Sequence, residues 1–369
     1  MKKSHTAAPP PTPLRNGSDV AQQRPPPTPA VNGRVEKLST EFAIGWATVS
    51  RSKHHTPVFA TVDGEIIGFA VANISRLDLD RARQEGKMDA YGYIVIFDRR
   101  VPAEQVQSIK ILIAGQSVIL PQGSPVKTDR SPSLRLFLMG SPRSGTSQLA
   151  RTLSKVLELP WLGEGHAAPL FASAAIALSG DADDKNGISR FMAHQGFRQI
   201  AIEAAKKAYF YLHGSASFVD KTPGVKMIGA ATFLNECFPG SRFVFLWRNP
   251  VSNVLSRMAK FGGNFEAHCR DWAGAMNEWL RVRSLLPHYL EIQQEDMREI
   301  PDRVAQDIAE YIGIADCAVP ISQSLKTESL ESTGAGIGNA DQLKSSWTPE
   351  QIATFDKICG PTMRAFENR

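Results

Sequence analysis

The sequence predicts an α/β fold. A mostly parallel sheet, flanked by helices as in phosphate-binding-loop proteins, follows a small all-β domain and a disordered tail. Three observations carry this. An apolar run at residues 134–139 leads through Gly140-Ser141-Pro142-Arg143-Ser144-Gly145-Thr146-Ser147 into a stretch with helical periodicity. From there on, strand-like and helix-like runs alternate, the pattern of a parallel sheet with helical crossovers. Ahead of it, residues 42–120 carry only short β-rich runs separated by turn signals, as in a small antiparallel sandwich.

Composition narrows the function. The chain has 369 residues, 42% of them hydrophobic, with a net charge of +5. That suits an anionic small ligand. Lys and Arg are scattered and form no stripe, which argues against nucleic acid. Cys237, Cys269, Cys317 and Cys359 stand far apart with no Cys-x-x-Cys, so no zinc site is expected and free thiols in a reducing, cytoplasmic setting are. The first residues lack the apolar region of a signal peptide, and no apolar run reaches the roughly 18 residues a membrane span needs.

Residues 1–38 are proline-rich, with Pro9-Pro10-Pro11 and Pro25-Pro26-Pro27, and read as a disordered tail. Residues 39–121 read as the β-sandwich, with strands near 44–49, 58–62, 66–72, 91–97, 109–113 and 117–120. Asp63-Gly64 signals a hairpin and Gly115-Gln116 a second turn. His54 and His55 would face opposite ways on a strand, so they read as exposed polar residues. Arg76, Asp78 and Asp80 read as a solvated loop. Residues 122–133, with Pro125 and Pro132 following Pro121, read as an interdomain linker. Residues 134–369 form the α/β domain.

Within it, helical stretches are expected after Gln148, with Leu149, Leu153, Val156 and Leu157 inward, and near 167–178. Another spans 191–212, with Phe191, Phe197, Ile200, Ala204, Ala208 and Tyr211 on one side. Further helices are expected at 227–237, at 264–286 with Trp272, Met276 and Trp279 as a core stripe, at 302–314 and at 349–366. Strands are expected at 218–220, 242–247 and 289–292. Residues 159–166 read as a short strand or loop, 181–187 as a polar break, and 331–343 as a polar, glycine-rich stretch, mobile or ordered by a ligand.

The chemistry concentrates after the strands. Glycines at both ends of the first turn give the spacing of a phosphate-binding loop, whose backbone N–H groups and helix N-terminus suit an anion. A nucleoside triphosphatase needs Lys where Thr146 stands; here the cation lies inside the loop, as Arg143. Ligands of such sheets sit beyond the C-terminal strand ends. Arg143, Glu164, His166, Lys221 and Arg248 all fall there and should face one crevice.

The order of this loop, Asp220-Lys221-Thr222-Pro223 and Arg248-Asn249-Pro250 followed by Ser256 resembles the sulfotransferases that use 3′-phosphoadenosine 5′-phosphosulfate. The resemblance covers residues 134–369 and extends to Trp347-Thr348-Pro349-Glu350-Gln351 and Cys359-Gly360-Pro361. It implies that Ser141, Arg143, Ser144, Gly145, Thr146 and Ser147 hold the 5′-phosphosulfate. Arg248 and Ser256 would hold the 3′-phosphate, with Lys344 closing over it. Lys221 would sit near the leaving oxygen, and no metal would be required. Glu164 stands about twenty residues after the loop, where carboxylate-using branches carry their base; other branches use His, which makes His166 the rival. Gly165 departs from the family's paired-acid pattern. Asp220 either orients Lys221 or caps the turn behind it. The β domain loosely resembles modules attached to bacterial glycan-modifying transferases. The resemblance further implies an acceptor hydroxyl, on a glycan, lipid or small molecule. A triphosphate-dependent kinase is the competing enzyme; Thr146 and the absence of a clear acidic metal ligand argue against it. A non-catalytic glycan-binding scaffold is the other alternative, and the intact Arg143, Lys221, Arg248 and Ser256 argue against that.

Overall fold

A computed structural model describes residues 31–49, 55–76, 91–114, 119–122, 133–179, 197–327 and 340–367. The expectations for residues 1–30, His54, Asp78, Asp80, Gly115-Gln116, 181–187, 191–196 and 331–339 lie outside them.

The N-terminal module contains β1 (Val31–Leu38), β2 (Phe42–Val49), β3 (Thr56–Val62), β4 (Glu65–Ala72), β5 (Tyr91–Ile96) and β6 (Lys110–Ile113). They form two antiparallel three-stranded sheets, ordered β1-β2-β5 and β4-β3-β6. Val35, Val58, Ile67, Tyr93, Val95 and Ile111 fill the space between them. The β3–β4 hairpin turns at Asp63 and Gly64, both with positive φ, the geometry that two-residue hairpin loops favour. One boundary needs correction. Residues 31–38, assigned to the tail, form β1: the tail's proline composition stops short of them, and β1 pairs along its length with β2.

The second part is built on a parallel sheet of β7 (Arg135–Gly140), β8 (Phe218–Lys221), β9 (Arg242–Trp247) and β10 (Tyr289–Gln293), ordered β10-β9-β7-β8. β7 is buried along its whole length, which explains the continuous apolar run from Leu136 to Met139; Arg135 at its start is the exception. Its side chains alternate between two cores: Phe137 and Met139 join one helical layer, Leu136 and Leu138 the other. The helices are α1 (Thr146–Leu157), α2 (Ala167–Ser179), α3 (Phe197–His213), α4 (Val225–Gly229), α5 (Ala231–Cys237), α6 (Pro250–Phe261), α7 (Phe265–Val282), α8 (Asp296–Glu299), α9 (Pro301–Ile312), α10 (Ala318–Thr327), α11 (Ala340–Lys344) and α12 (Pro349–Glu367).

Most inward stripes stand as expected, including Trp272, Met276 and Trp279, all buried. The α3 stripe does not. Ile200 and Tyr211 are exposed, and the buried residues are Ala201, Ile202, Ala205, Tyr209 and Phe210. The helix is rotated by about one residue, because Tyr209 and Phe210 pack into the aromatic core around Phe218 and Phe238. The single helix expected over 227–237 is two, meeting at Ala230. α10 and α11 were not anticipated.

The two parts share a core. Phe42 stacks on Phe210 with centroids 4.7 Å apart, and Glu41 pairs with Arg135 while accepting from Ser133 Oγ at 2.7 Å. Arg135 in turn lies over the Phe238 ring, 5.1 Å from its centroid.

Candidate functional site

Because the four strands run parallel, their C-terminal ends share one edge, and the segments after β7, β8, β9 and β10 converge there. The turn after β7 requires its glycines. Gly140 has φ 153°, and a Cβ there would collide with the Leu246 carbonyl of β9. Gly145 has φ 83°, and a Cβ would come within 2.6 Å of Met297 Cε. Arg143 also lies in the left-handed region, φ 73°, which is costly for a side-chain-bearing residue. Ser141, Ser144 and Thr146 are buried, and Ser147 is half-buried in the first turn of α1.

α6 straps this turn in place. Asn249 caps the helix, its Oδ1 accepting from the backbone N–H groups of Val251 and Ser252, and Pro250 fits the first turn, where no N–H is needed. One turn on, fully buried Asn253 donates through Nδ2 to the Pro142 carbonyl at 3.0 Å and to Ser144 Oγ at 3.2 Å. Its Oδ1 accepts from Ser141 Oγ at 3.4 Å. Three residues further along the same helix face, Ser256 Oγ accepts from Arg143 Nε at 3.2 Å. Arg248, at the end of β9, donates to the Arg143 carbonyl at 3.3 Å, and its Nε lies 3.9 Å from Glu295 Oε1. Burial pushes the Arg248 guanidinium below its usual pKa; Glu295 pulls it back up and Arg143 pushes it down. Arg143, Arg248 and Ser256 therefore form one cluster. Ser256, assigned from the sequence to the same anion as Arg248, bonds Arg143 in this structure.

Beside this cluster stands a second. Lys221, at the end of β8 and almost wholly buried, pairs with Glu164 Oε1. His166 Nε2 lies 3.4 Å from Glu164 Oε2, and the His166 backbone N–H donates to Thr222 Oγ1 at 3.3 Å. The Glu164 and His166 side chains stay open to solvent, 41% and 65% exposed. Asp220 points the other way, into the core, where it accepts from Tyr209 OH at 2.6 Å. Burial raises its pKa, and hydrogen bonds from Tyr209 and Thr222 pull against that rise. Of its two sequence readings, holding the turn through Thr222 is the one observed. The clusters are joined where Gly224 N–H donates to the Gly140 carbonyl at 2.8 Å. A cavity of about 500 Å³ opens between them, with Pro142, His166, Thr222, Gly224 and Arg257 in its wall.

Lys344 is placed differently. Its ammonium bonds Asp356 at 2.7 Å and lies over the Phe355 ring, although α11 packs on α6. Sequence reasoning missed Asn253, Glu295 and Arg257. The spacing of Asn253 to Ser256, three residues on one helix face, could have revealed the first. The four cysteines are buried, and none is in a disulfide. Among the described residues, no group of three or more His, Cys, Asp or Glu could hold a metal, and no helix is long and apolar enough to cross a membrane.

The model of the Sulfotransferase family matches residues 135–317. No curated protein sequence matches the chain. Among solved structures, the sulfotransferase domain of the Synechococcus PCC 7002 olefin synthase aligns at 16% identity and TM-score 0.38, over 62% of this chain and 94% of that one. A Mycobacterium avium sulfotransferase aligns at 12% identity and TM-score 0.36, over 64% and 78%. A sugar kinase from Janibacter sp. HTCC2649 aligns at 17% identity and TM-score 0.30, over 51% and 98%.

Proposed function

We propose, from the premise that residues 135–317 form a sulfotransferase-family domain, that this protein moves a sulfuryl group from 3′-phosphoadenosine 5′-phosphosulfate to an acceptor hydroxyl. The observation that carries the reading is the strapped turn. A glycine-bounded anion loop, fixed through Asn253 and Ser256, brings Arg143 and Arg248 together beside the Lys221–Glu164 pair. The donor carries anionic groups at two ends of a nucleoside, and two guanidinium groups with loop N–H groups and hydroxyls suit it.

In this reading the loop amides, Ser144, Thr146, Ser147 and Arg143 grip the 5′-phosphosulfate, and Arg248 and Ser256 the 3′-phosphate. The acceptor occupies the cavity beside His166. Its oxygen attacks sulfur in line, the bond from sulfur to the 5′-phosphate oxygen breaks, and Lys221 stabilises the oxygen that leaves with the electron pair. Glu164 takes the acceptor proton, and His166 stands by its second oxygen. General-base help of this kind contributes about 10²–10⁴-fold. Asn253 and Asp220 position the groups in front of them. Lys344 would have to leave Asp356 to close over the 3′-phosphate.

The test is calorimetric. Adenosine 3′,5′-bisphosphate should bind in the presence of a chelator, and ATP with magnesium should bind far more weakly. Binding of the bisphosphate that disappears with chelator, or a preference for magnesium ATP, would replace this reading with the kinase.

A further inference from the structure

The helix that straps the anion loop presents one residue that the reaction above does not use. Ser256 bonds Arg143; Arg257, the next residue, is turned by about 100° around α6 and lines the cavity instead. Arg257 is only 5% exposed. A buried guanidinium needs its donors met, and two of its three nitrogens have partners. Nε donates to His268 Nδ1 at 3.3 Å, and Nη2 pairs with Asp271. His268 accepts at Nδ1, so its proton sits on Nε2, which donates to the Gly262 carbonyl at 2.6 Å. The fork is thereby locked in orientation. Nη1, equally buried, has no hydrogen-bond partner among the described residues. Asp271, the paired carboxylate, also lines the cavity and is itself 60% exposed.

A pre-oriented guanidinium with donor capacity to spare, in the wall of the cavity that holds His166, is suited to a planar anion. The other ionisable groups in that wall are Lys226 and His166, so Asp271 is its one carboxylate among the described residues. We infer that the acceptor is an anionic hydroxyl compound, carrying a carboxylate or a comparable oxyanion that Arg257 reads while its hydroxyl faces Glu164. Asp271 holds the fork in place and competes with the ligand for it. Arg257 is then a specificity-determining residue. The inference rests on the sulfotransferase reading of the same site.

The experiment separates the two. With adenosine 3′,5′-bisphosphate saturating, the binding of matched probes is measured by ligand-observed NMR: 4-hydroxyphenylacetate against 4-hydroxyphenylacetamide, and 3-hydroxybenzoate against 3-hydroxybenzamide. The carboxylates should bind about 10-fold tighter than the amides. Arg257→Gln should erase that preference. Asp271→Asn, at an exposed position, should strengthen carboxylate binding, a gain that misfolding cannot mimic. Equal or undetectable binding of the two members of each pair, or no gain in Asp271→Asn, overturns the inference. If the bisphosphate binds normally in those experiments the donor reading survives; if it does not bind at all, that reading has failed first.

Discussion

The turn that follows β7 and the segment that follows α1 face the same cavity but are built in opposite ways. Ser141, Ser144 and Asn253 are fully buried, and their hydrogen bonds leave the 141–145 turn little room to move. Glu164 and His166 sit on an open loop held by Lys221 and one bond to Thr222. A buried polar network costs much when broken, because each orphaned group keeps its desolvation penalty. An exposed loop carries no such penalty. The contrast suits a protein whose invariant ligand is gripped on one side while a variable one is met on the other.

The largest test of this contrast is Glu164→Gln, which keeps the shape and removes the basicity. Turnover should fall about 10²–10⁴-fold with affinity for adenosine 3′,5′-bisphosphate nearly unchanged. His166→Asn should cost much less, and the reverse ranking would exchange their roles. Next is Arg248→Ala, which should weaken the bisphosphate by about 2–5 kcal/mol while adenosine 5′-phosphate binds mutant and parent alike. Equal losses for both nucleotides would make Arg248 structural, acting through the Arg143 carbonyl it bonds. Asn253→Ala comes third. It should lower both folding stability, read by thermal melting, and donor affinity by about 1–3 kcal/mol each and leave the acceptor KM alone. An effect on acceptor KM first would dissolve the distinction between the two sides.

The smallest effect is a pH dependence behind β8. His213 stacks on Phe218 with centroids 4.4 Å apart, and burial lowers its pKa from 6.5 to about 4. The native state thus binds fewer protons than the unfolded chain between those values. Stability is full above about pH 6.5 and is lost as pH falls through about 4. The ring is partly open, so about 1–2 kcal/mol is expected. His213→Phe keeps the stack and should flatten the melting curve against pH in that window; an unchanged slope would assign the acid sensitivity elsewhere.

What could be read from sequence was local. The turn is bounded by Gly140 and Gly145, two positions where the backbone itself demands glycine, and Asn249-Pro250 announces a helix start by capping chemistry. Lys221 and Arg248 followed from the rule that strand ends face ligands. What could not be read was long-range. Asn253 matters because the 141–145 turn comes back to it over more than a hundred residues, and Glu295 because β10 lies beside β9. The α3 stripe was misjudged for the same reason: Ala204 and Tyr211 have helical spacing, but the aromatic cluster around Phe218 and Phe238 chose the neighbouring face. β1 was hidden by the prolines just before it.

The stacking of Phe42 on Phe210, with Glu41 on Arg135, has a consequence for how the gene can be divided. A fragment starting near residue 133 would leave an aromatic ring bare and an almost buried arginine without its carboxylate. The β module is therefore not a portable cassette. Grafting it onto another enzyme, or replacing it by another module, would require re-matching this seam, so recombination across it would be tolerated only when both sides change together.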